Sequence, residues 1–450
     1  MQLPEAFIIR TKNLLDGEWA AFEQALNEES PVSIRLNPRK ITPDLLSEAL
    51  PLYEPIPWTA SGYYLESRPS FTFDPLFHAG CYYVQEASSM LLEHFVRDYF
   101  PQPAKVLDLC AAPGGKSTHL SALLPDESLL VANEVIRSRA NILSENLIKW
   151  GNPNTLVIQN DPMEIGKSLP EFFDVIVADL PCSGEGMFRK DPAAILEWSV
   201  SNVKLCAERQ RRIVADVWQA LKPDGILIYS TCTYNREENE ENLEWICREF
   251  DAGLLEEPHR LMPHKTKGEG FFIAGIRKKR SDIRRQTLDF RQKTLDGKNS
   301  ALHSSPFNNC LSSPGNFRYI PVTCHPSPVT FSWLAVPAIH YPAYLQIKNK
   351  LKILSAGVTL GEIKGQDRIP AHSLAMSDAL SDDAYPRWEV DKEAALNYLR
   401  KEALQTIPPE LAKGYVLITY KEHPLGFIKN IGTRANNLYP QEWRIRKKSL

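Results

Sequence analysis

The sequence predicts an α/β protein built around a Rossmann-like, doubly wound sheet. Between residues 105 and 279, short apolar runs alternate with longer amphipathic runs, which is the pattern of strand–helix–strand units around a parallel sheet. The chain of 450 residues, 43% hydrophobic and 24% charged, is also long enough for two or three domains with large apolar cores. This composition is unlike that of a disordered, collagenous or membrane chain.

Six strands and three helices are expected in this central region. The strands are expected at residues 106–110, 129–134, 155–160, 174–180, 225–231 and 270–276. The first two helices are expected at 137–150 and 196–221, the second ending at the stop sequence Lys222-Pro-Asp-Gly225. The third helix follows the fifth strand, where Asn235 and Glu238 have the spacing of an N-cap and its capping-box glutamate.

The segments on either side of the central region divide the chain into four expected parts. Residues 1–75, rich in proline, aromatic residues and glutamate, are expected to form an N-terminal α+β appendage. Residues 76–280 form the central domain, and the polar segment 281–330 is expected to be a linker because its middle has little periodicity. Residues 331–450 are expected to form a small β-rich module with a basic tail.

The charge balance limits the partners that the whole surface can attract. With 52 Lys and Arg against 55 Asp and Glu, the net charge is −3, so nucleic-acid binding would require local basic patches. Arg35 and Lys40 could contact phosphate, but a solvated charged loop explains them equally well. Two further candidate patches are residues 277–285 and the C-terminal basic residues Arg444, Arg446, Lys447 and Lys448.

The eight cysteines are scattered without any CxxC pair, so neither a zinc site nor a disulfide framework is indicated. No segment approaches the roughly 18 apolar residues of a membrane span. We therefore expect a cytoplasmic protein in a reducing compartment, with no metal and no membrane association.

The first strand runs directly into a turn of small residues, 109–115, that lets the backbone approach a ligand. A phosphate-binding loop would need glycine where Cys110 stands, and a dinucleotide fingerprint is absent. Asp108 and Glu134 instead suit a ligand with hydroxyl groups and a positive charge, and S-adenosylmethionine fits best. Glu134 would accept its ribose hydroxyls, and Asp161 would lie on the adenine side.

Two thiols are expected at the same edge of the sheet. Cys182 lies in Asp179-Leu-Pro-Cys-Ser-Gly184 after the fourth strand, and Cys232 lies in Ser230-Thr-Cys-Thr233 at the end of the fifth. Each cysteine alone would more often be a small buried apolar residue. The presence of two cysteines beside a methyl-donor site favours covalent chemistry on a pyrimidine ring.

Cytosine C5 is too weak a nucleophile to take a methyl group directly, so a thiolate must first add to C6. After methyl transfer, a base must remove the C5 proton before the thiolate can leave. One thiol for attack and another group for elimination is a sensible division. The residues alone do not decide which thiol attacks.

Three motifs resemble motifs I, IV and VI of the RNA 5-methylcytosine methyltransferases of the Nop/Sun type. They are Asp108-Leu-Cys-Ala-Ala-Pro-Gly-Gly-Lys116, Asp179-Leu-Pro-Cys-Ser-Gly184 and Ser230-Thr-Cys-Thr233. The resemblance implies Cys232 as nucleophile and Cys182 as the group that handles the C5 proton. It implies that S-adenosyl-L-methionine lies against Cys110, Ala111, Ala112, Pro113, Gly114, Gly115, Lys116, Glu134, Asp161 and Asp179.

The resemblance also implies a Rossmann-like S-adenosylmethionine-dependent methyltransferase core, an N-terminal RNA-binding appendage and a C-terminal PUA-like RNA-binding module. Its expected partner is RNA, with 16S rRNA or the small ribosomal subunit as substrate. A tRNA cytosine-C5 methyltransferase is an alternative. A non-catalytic RNA-binding ribosome-assembly factor is the alternative from another class. A substrate role for Lys190 is left open.

Overall fold

The computed structural model describes residues 2–280, 305–323, 331–404 and 407–447. The strands are β1 (Val32–Leu36), β2 (Leu52–Pro55), β3 (Gly62–Leu65), β4 (Tyr82–Val84), β5 (Lys105–Asp108), β6 (Leu129–Asn133), β7 (Thr155–Ile158), β8 (Phe173–Asp179), β9 (Leu221–Thr231), β10 (Ala252–Leu254), β11 (His259–Leu261), β12 (Phe271–Lys278), β13 (Phe317–Thr323), β14 (Phe331–Pro337), β15 (Ile353–Ala356), β16 (Val358–Lys364), β17 (Asp367–Pro370), β18 (Arg387–Glu389), β19 (Gly414–Tyr420), β20 (His423–Asn430) and β21 (Ala435–Asn437).

The helices alternate with the strands most regularly in the central domain. They are α1 (Glu5–Leu15), α2 (Trp19–Asn27), α3 (Pro43–Ser47), α4 (Pro75–His78), α5 (Leu92–Tyr99), α6 (Gly115–Leu123), α7 (Arg137–Trp150), α8 (Pro162–Ser168), α9 (Pro192–Glu197), α10 (Val200–Val217), α11 (Glu240–Glu249), α12 (Tyr341–Lys348), α13 (His372–Met376) and α14 (Lys392–Leu399).

The central sheet has the order β10-β12-β9-β8-β5-β6-β7-β15, with β11 also paired to β12. Strands β5 to β9 are parallel to one another. The six predicted strands are therefore present, as β5 to β9 and β12. The sixth, however, departs from the predicted parallel pattern, because β12 runs antiparallel to β9. The intervening strands β10 and β11 both pair antiparallel with β12. The chain thus reaches the sheet edge at β10 and then returns to place β12 between β10 and β9.

Two details of the predicted helices are wrong. The helix expected at 196–221 is two helices, because the chain is extended at Trp198 and Ser199, where the Ser199 hydroxyl caps α10. The apolar pattern continues across this break, which is why it predicted one helix. The expected capping box forms only in part: Asn235 Oδ1 accepts from the backbone N–H of Glu238 at 2.9 Å, but α11 begins at Glu240 and the Glu238 carboxylate accepts the backbone N–H of Ser183.

The N-terminal unit is a four-stranded sheet of order β2-β3-β1-β4 with α1 to α3. Because β4 pairs with β1, the unit extends past the expected boundary at residue 75. Its apolar side chains do not form a separate core. Ile34 and Leu36 share one hydrophobic cluster with Val416 and Ile418 of the C-terminal part.

The C-terminal part contains two four-stranded sheets, β13-β14-β16-β17 and β18-β19-β20-β21. Its strand β15 pairs instead with β7 and completes the central sheet. The predicted linker at 281–330 is wrong for residues 317–323, because these form β13, whose seven residues pair with β14. That segment looked like a linker because its partner strand lies beyond the polar stretch. Residues 281–304 and 324–330 lie outside the described residues.

Neither of the two N-terminal cations is placed for contact with phosphate. Arg35 is fully buried, stacks on Trp150 at 4.5 Å, and donates to the Gln85 side chain at 2.8 Å. The Lys40 ammonium donates to the backbone carbonyls of Ala79, Lys149 and Met376 at 3.0, 2.7 and 3.0 Å. Lys40 therefore joins the N-terminal unit, the central domain and the C-terminal part, so both expected readings of these residues, phosphate contact and solvated loop, are wrong.

In the basic cluster at 277–285, the cations that the structure describes already have partners within the protein. Arg277 and Lys278 donate to backbone carbonyls, while Lys279 and Arg280 pair with Asp251 and Asp224. Residues 281–285 lie outside the described part. At the C-terminal end, Arg444, Arg446 and Lys447 are exposed, and Lys448 is outside the described residues.

None of the helices in the described ranges combines the length and the apolar character needed to cross a membrane.

Replacing Lys40 by Met should lower the free energy of unfolding by about 2–4 kcal/mol, because three buried carbonyls lose a charged donor. Chemical denaturation followed by circular dichroism measures this change. Lys364→Met is the matched control, since Lys364 is exposed on β16 and its replacement should change stability by less than about 0.5 kcal/mol. Equal stability of the two variants would contradict the role assigned to Lys40.

Candidate active site

The residues singled out in the sequence leave the central sheet at one edge. The small-residue turn follows β5, Glu134 follows β6, and Asp161 begins α8 after β7. The two cysteine loops follow β8 and β9. Because the carboxyl ends of parallel strands meet at one edge of a sheet, these segments surround a common crevice, which is where open α/β sheets bind ligands.

The turn between β5 and α6 is held in place by α7. Gly114 has a φ of +119°, a conformation that side chains rarely adopt. The Arg139 guanidinium donates to the carbonyl of Ala112 at 2.8 Å, and the Asn146 amide donates to that of Pro113 at 2.7 Å. The backbone of the turn is thus fixed before any ligand arrives.

Asp108, at the end of β5, is a fully buried carboxyl group that lacks part of its expected bonding. One oxygen accepts from the Ser117 hydroxyl at 2.6 Å, while Oδ1 has no partner among the described residues. Burial raises the pKa of Asp108 to about 7, against opposing effects of Ser117 and Lys116. An unpaired buried carboxylate oxygen at a ligand-binding turn fits a ligand that carries a positive charge or a donor.

Lys116 and Asp179 form an ion pair across the crevice. The Lys116 ammonium lies 2.8 Å from Oδ2 of Asp179, whose Oδ1 accepts from the Ser230 hydroxyl at 2.7 Å. Burial opposes the charge of Lys116, but the carboxylates of Asp179 and Asp108 and the nearby Cys232 outweigh it and raise its pKa. Lys116 therefore stays positively charged in the crevice, paired with Asp179.

The carboxylates of Glu134 and Asp161 differ in the hydrogen bonds that they already accept within the protein. The buried Glu134 accepts from the backbone N–H of Ile136 at 2.9 Å and lies 3.3 Å from the Arg139 guanidinium. Ile136 is 53% exposed and provides apolar surface next to this acid. The exposed Asp161 caps α8 in a capping box with Glu164, so its carboxylate is partly used by the fold.

The structure brings together the two cysteines that the motifs predict. Their sulfur atoms are 3.1 Å apart, and both residues are partly buried. The contact with Cys232, followed by burial and the nearby Glu238 carboxylate, raises the pKa of Cys182. The Cys182 thiol is therefore harder to ionise than a free cysteine.

Cys110, in the turn, is a third cysteine in this region, and burial followed by the charge of Asp108 raises its pKa. A thiol that ionises so reluctantly suits a wall of the crevice better than a nucleophile. Cys206 is buried in α10.

Two glutamates that the motif analysis did not include as site residues connect the cysteine loops. Glu185 lies just after the Cys182 loop, and Glu238 lies just after the Cys232 loop. Each is buried, and each accepts hydrogen bonds from the opposite loop. The only sequence signal was the Asn235–Glu238 spacing, which was assigned to a helix cap.

One histidine cluster in the described residues, His94, Glu256 and His259, has the composition of a metal site. Glu256 Oε1 lies 2.7 Å from His94 Nε2 and 2.9 Å from His259 Nε2. These are hydrogen-bond lengths, whereas ligand atoms around a tetrahedral zinc ion at bond lengths near 2.0–2.1 Å would lie about 3.3 Å apart. Hydrogen bonding accounts for the cluster without an ion.

The arrangement combines a preformed ligand turn, a cation, and two thiols in contact. In a thiol pair of this kind, one thiol can attack a substrate atom while the other transfers a proton at the neighbouring atom. The candidate site residues in this arrangement are Asp108, Lys116, Asp179, Cys182 and Cys232.

Comparison with known proteins places these features in a family. Residues 100–277 match the family described as 16S rRNA methyltransferase RsmB/F. Residues 3–87 match the N-terminal domain of 16S rRNA methyltransferase RsmF, and residues 385–445 match the methyltransferase RsmF PUA domain. The predicted α/β class with its N-terminal and PUA-like parts is thereby confirmed.

Individual relatives cover nearly the whole chain. Ribosomal RNA small subunit methyltransferase F of Cronobacter sakazakii is 30% identical over 98% of this chain and 96% of its own length. The protein of the same name from Salmonella arizonae is 31% identical with the same coverage. Among solved structures, a methyltransferase homolog protein from Pyrococcus horikoshii is 31% identical, with a TM-score of 0.54 over 61% of this chain and 95% of its own. The chain therefore belongs to the family of ribosomal RNA small subunit methyltransferase F.

Proposed function

We propose that this protein methylates C5 of a cytosine in the RNA of the small ribosomal subunit, with S-adenosyl-L-methionine as methyl donor and a covalent enzyme–RNA adduct as intermediate. The observation that carries the proposal is the 3.1 Å contact between the sulfurs of Cys182 and Cys232 beside the Lys116–Asp179 pair. Membership of an rRNA methyltransferase family supports the reaction class and the substrate.

The residues present fit the donor. The unpaired Oδ1 of Asp108 and the carboxylate of Glu134 suit its ammonium and ribose hydroxyls, and the turn from Cys110 to Lys116 lets the backbone approach it. Val135 and Ile136, exposed beside Glu134, offer apolar contact to a ring. Asp161 is assigned the adenine side. When bound, the donor supplies an electrophilic methyl group on a sulfonium.

The thiols divide the remaining chemistry. We assign the attack on C6 to Cys232, the cysteine of the Ser230-Thr-Cys-Thr233 motif at the end of β9. A bond forms between its sulfur and C6, and C5 becomes nucleophilic enough to take the methyl group. Removal of the C5 proton then regenerates the ring double bond and expels the Cys232 thiolate. Cys182 is assigned the role of taking or relaying that proton.

Two observations support the assignment of Asp179 to a position near the cytosine. It lies at the end of β8, opposite Ser230 in the parallel register with β9, and its carboxylate pairs with Lys116. The carboxylate is 36% exposed, so it can still face an incoming base. The target base must first leave its stack, which costs a few kcal/mol and least in an unpaired region.

The substrate and the binding regions complete the proposal. The curated relatives are named for the small ribosomal subunit, which favours 16S rRNA over tRNA. The N-terminal appendage, expected at 1–75, and the C-terminal region, 331–450, are assigned RNA binding. Because the reaction needs two reduced thiols, we place the protein in the cytoplasm.

Asp108→Asn should stabilise the empty fold at pH 8 and abolish donor binding. Because the pKa of Asp108 is raised from 3.8 to about 7, stability is lost as the pH rises between these values, at up to about 1.4 kcal/mol per pH unit. The difference in unfolding free energy between Asp108→Asn and the wild type should therefore increase up to pH 7 and then stay constant. Thermal unfolding from pH 4.5 to 8, with and without S-adenosylmethionine, measures both effects. Equal stabilisation of both proteins by the donor would contradict the assignment.

Cys232→Ala should reduce methyl transfer by at least about 10⁴-fold, because the variant lacks the thiol that is assigned to attack C6. Cys182→Ala should instead accumulate a protein–RNA adduct that survives denaturing electrophoresis, because the C5 proton is no longer removed. Labelled donor and labelled RNA follow the two products. Cys206→Ala is the control, since this buried thiol in α10 lies outside the pair. Normal turnover by both catalytic-site variants would refute the two-thiol mechanism.

Small subunits, naked 16S rRNA and tRNA, each incubated with labelled donor, should separate the substrates. We expect label in 16S rRNA, as free RNA or in the subunit, and none in tRNA. Label confined to tRNA would overturn the substrate assignment. Tight RNA binding with no label in any of the three would favour an assembly factor.

A further inference from the structure

The loop that follows β8 reaches across to the loop that follows β9 through Glu185. This glutamate is 2% exposed, and its Oε2 accepts three hydrogen bonds from the segment just after Cys232. The donors are the Thr233 hydroxyl at 2.7 Å and the backbone N–H groups of Tyr234 and Asn235, each at 2.9 Å. Its other oxygen accepts from the Trp198 indole at 3.0 Å. One carboxylate from the Cys182 side therefore fixes the backbone on the Cys232 side.

Glu238 makes the reverse connection. It is fully buried, and both of its oxygens lie within 3.3 Å of the backbone N–H of Ser183, the residue after Cys182. Its remaining bonds come from the Gln210 side chain at 2.7 Å and the Asn235 side chain at 2.8 Å. A carboxylate from the Cys232 side therefore fixes the backbone on the Cys182 side.

We propose that Glu185 and Glu238 are positioning residues for the methylation reaction, because their exchanged hydrogen bonds hold the two cysteine loops as one unit and keep the two sulfurs in contact. This inference rests on the proposed function, and it assigns roles to two residues that do not touch the substrate. We name the pair the glutamate brace.

The brace acts on the backbone beside each thiol. Each sulfur is two bonds from its Cα, so a loop shift of about 1 Å changes the sulfur separation by a similar amount, and misplacement on this scale can cost about a hundredfold in rate. Hydrogen bonds to a carboxylate are stronger than those between neutral groups. A further bond, between the hydroxyls of Ser183 and Thr233 at 2.9 Å, joins the loops directly and depends on the same alignment.

The braced loops also pack closely against each other at Gly186. The backbone N–H of Gly186 donates to the Cys232 carbonyl at 2.9 Å. A Cβ on Gly186 would approach that carbonyl oxygen to 2.9 Å and the Gly270 carbonyl oxygen to 2.6 Å. A small shift of either loop after loss of a brace carboxylate would therefore change the contacts at the Cys232 backbone.

The test uses the full-length protein and the variants Glu185→Gln and Glu238→Gln. Each change keeps the side-chain shape but replaces one acceptor oxygen by an NH₂ group. Glu244→Gln is the matched control, because Glu244 is an exposed glutamate on α11, the helix that follows Glu238. We expect kcat for methylation to fall at least tenfold in both brace variants, while KM for S-adenosylmethionine stays within twofold of the wild-type value.

A second measurement reports the thiol geometry without catalysis. With diamide as oxidant, Cys182 and Cys232 lose two protons and two electrons, a sulfur–sulfur bond forms, and diamide is reduced to its hydrazine. The rate of appearance of the peptide cross-linked through these cysteines is followed by mass spectrometry. We expect this rate to fall at least tenfold in the brace variants and to stay unchanged in Glu244→Gln.

Folding is checked by thermal unfolding, and if Glu238→Gln is unfolded at the assay temperature, Glu185→Gln alone decides. Folded brace variants that keep both kcat and the cross-linking rate within twofold of wild type would overturn the inference. If wild type methylates no RNA, the proposed function fails, while the cross-linking rates still decide whether the brace holds the thiols.

Discussion

The parallel pairing of β8 with β9 is the constraint on which the candidate site depends. Asp179 lies opposite Ser230 in this register, so the chain leaves both strands at the same level. Cys182 and Cys232 therefore enter the crevice side by side although 50 residues separate them in the sequence. The neighbouring strand β5 supplies the ligand turn from the other side of β8.

The site concentrates buried charge, and each charge has a different consequence. Lys116 compensates Asp179 across the crevice, whereas Asp108 keeps an oxygen without a partner. An uncompensated buried carboxyl group costs stability in the empty protein, which is typical of groups whose partner is a ligand. Glu185 and Glu238 are instead saturated by hydrogen bonds, as expected for groups whose role is to hold backbone in place.

The outer parts of the chain are not independent attachments to the catalytic domain. The N-terminal sheet and the last sheet share a hydrophobic cluster, and Lys40 joins the N-terminal unit to the ends of α7 and α13. Strand β15 adds a C-terminal segment to the edge of the central sheet. RNA held by either outer part would thus be held in a fixed relation to the crevice, since a shared apolar cluster, the Lys40 hydrogen bonds and strand pairing join these parts.

The sequence by itself determined the features that depend on short-range patterns. The alternation of apolar and amphipathic runs predicted the central α/β sheet, and three motifs identified the ligand turn, both thiols and the family. Apolar periodicity and motif spacing are local properties, so they can be recognised in the sequence without knowledge of the fold.

Only the tertiary structure decided which polar groups meet, because those contacts join residues far apart in the chain. Arg35 and Lys40 carry no local sign of burial, yet they are enclosed by Trp150 and by carbonyls from three parts of the chain. Glu238 has the spacing of a helix cap, but its carboxylate accepts a hydrogen bond from the backbone of Ser183, 55 residues away in the chain. The direction of β12 and the pairing of β13 were likewise settled by partners that the local sequence does not contain.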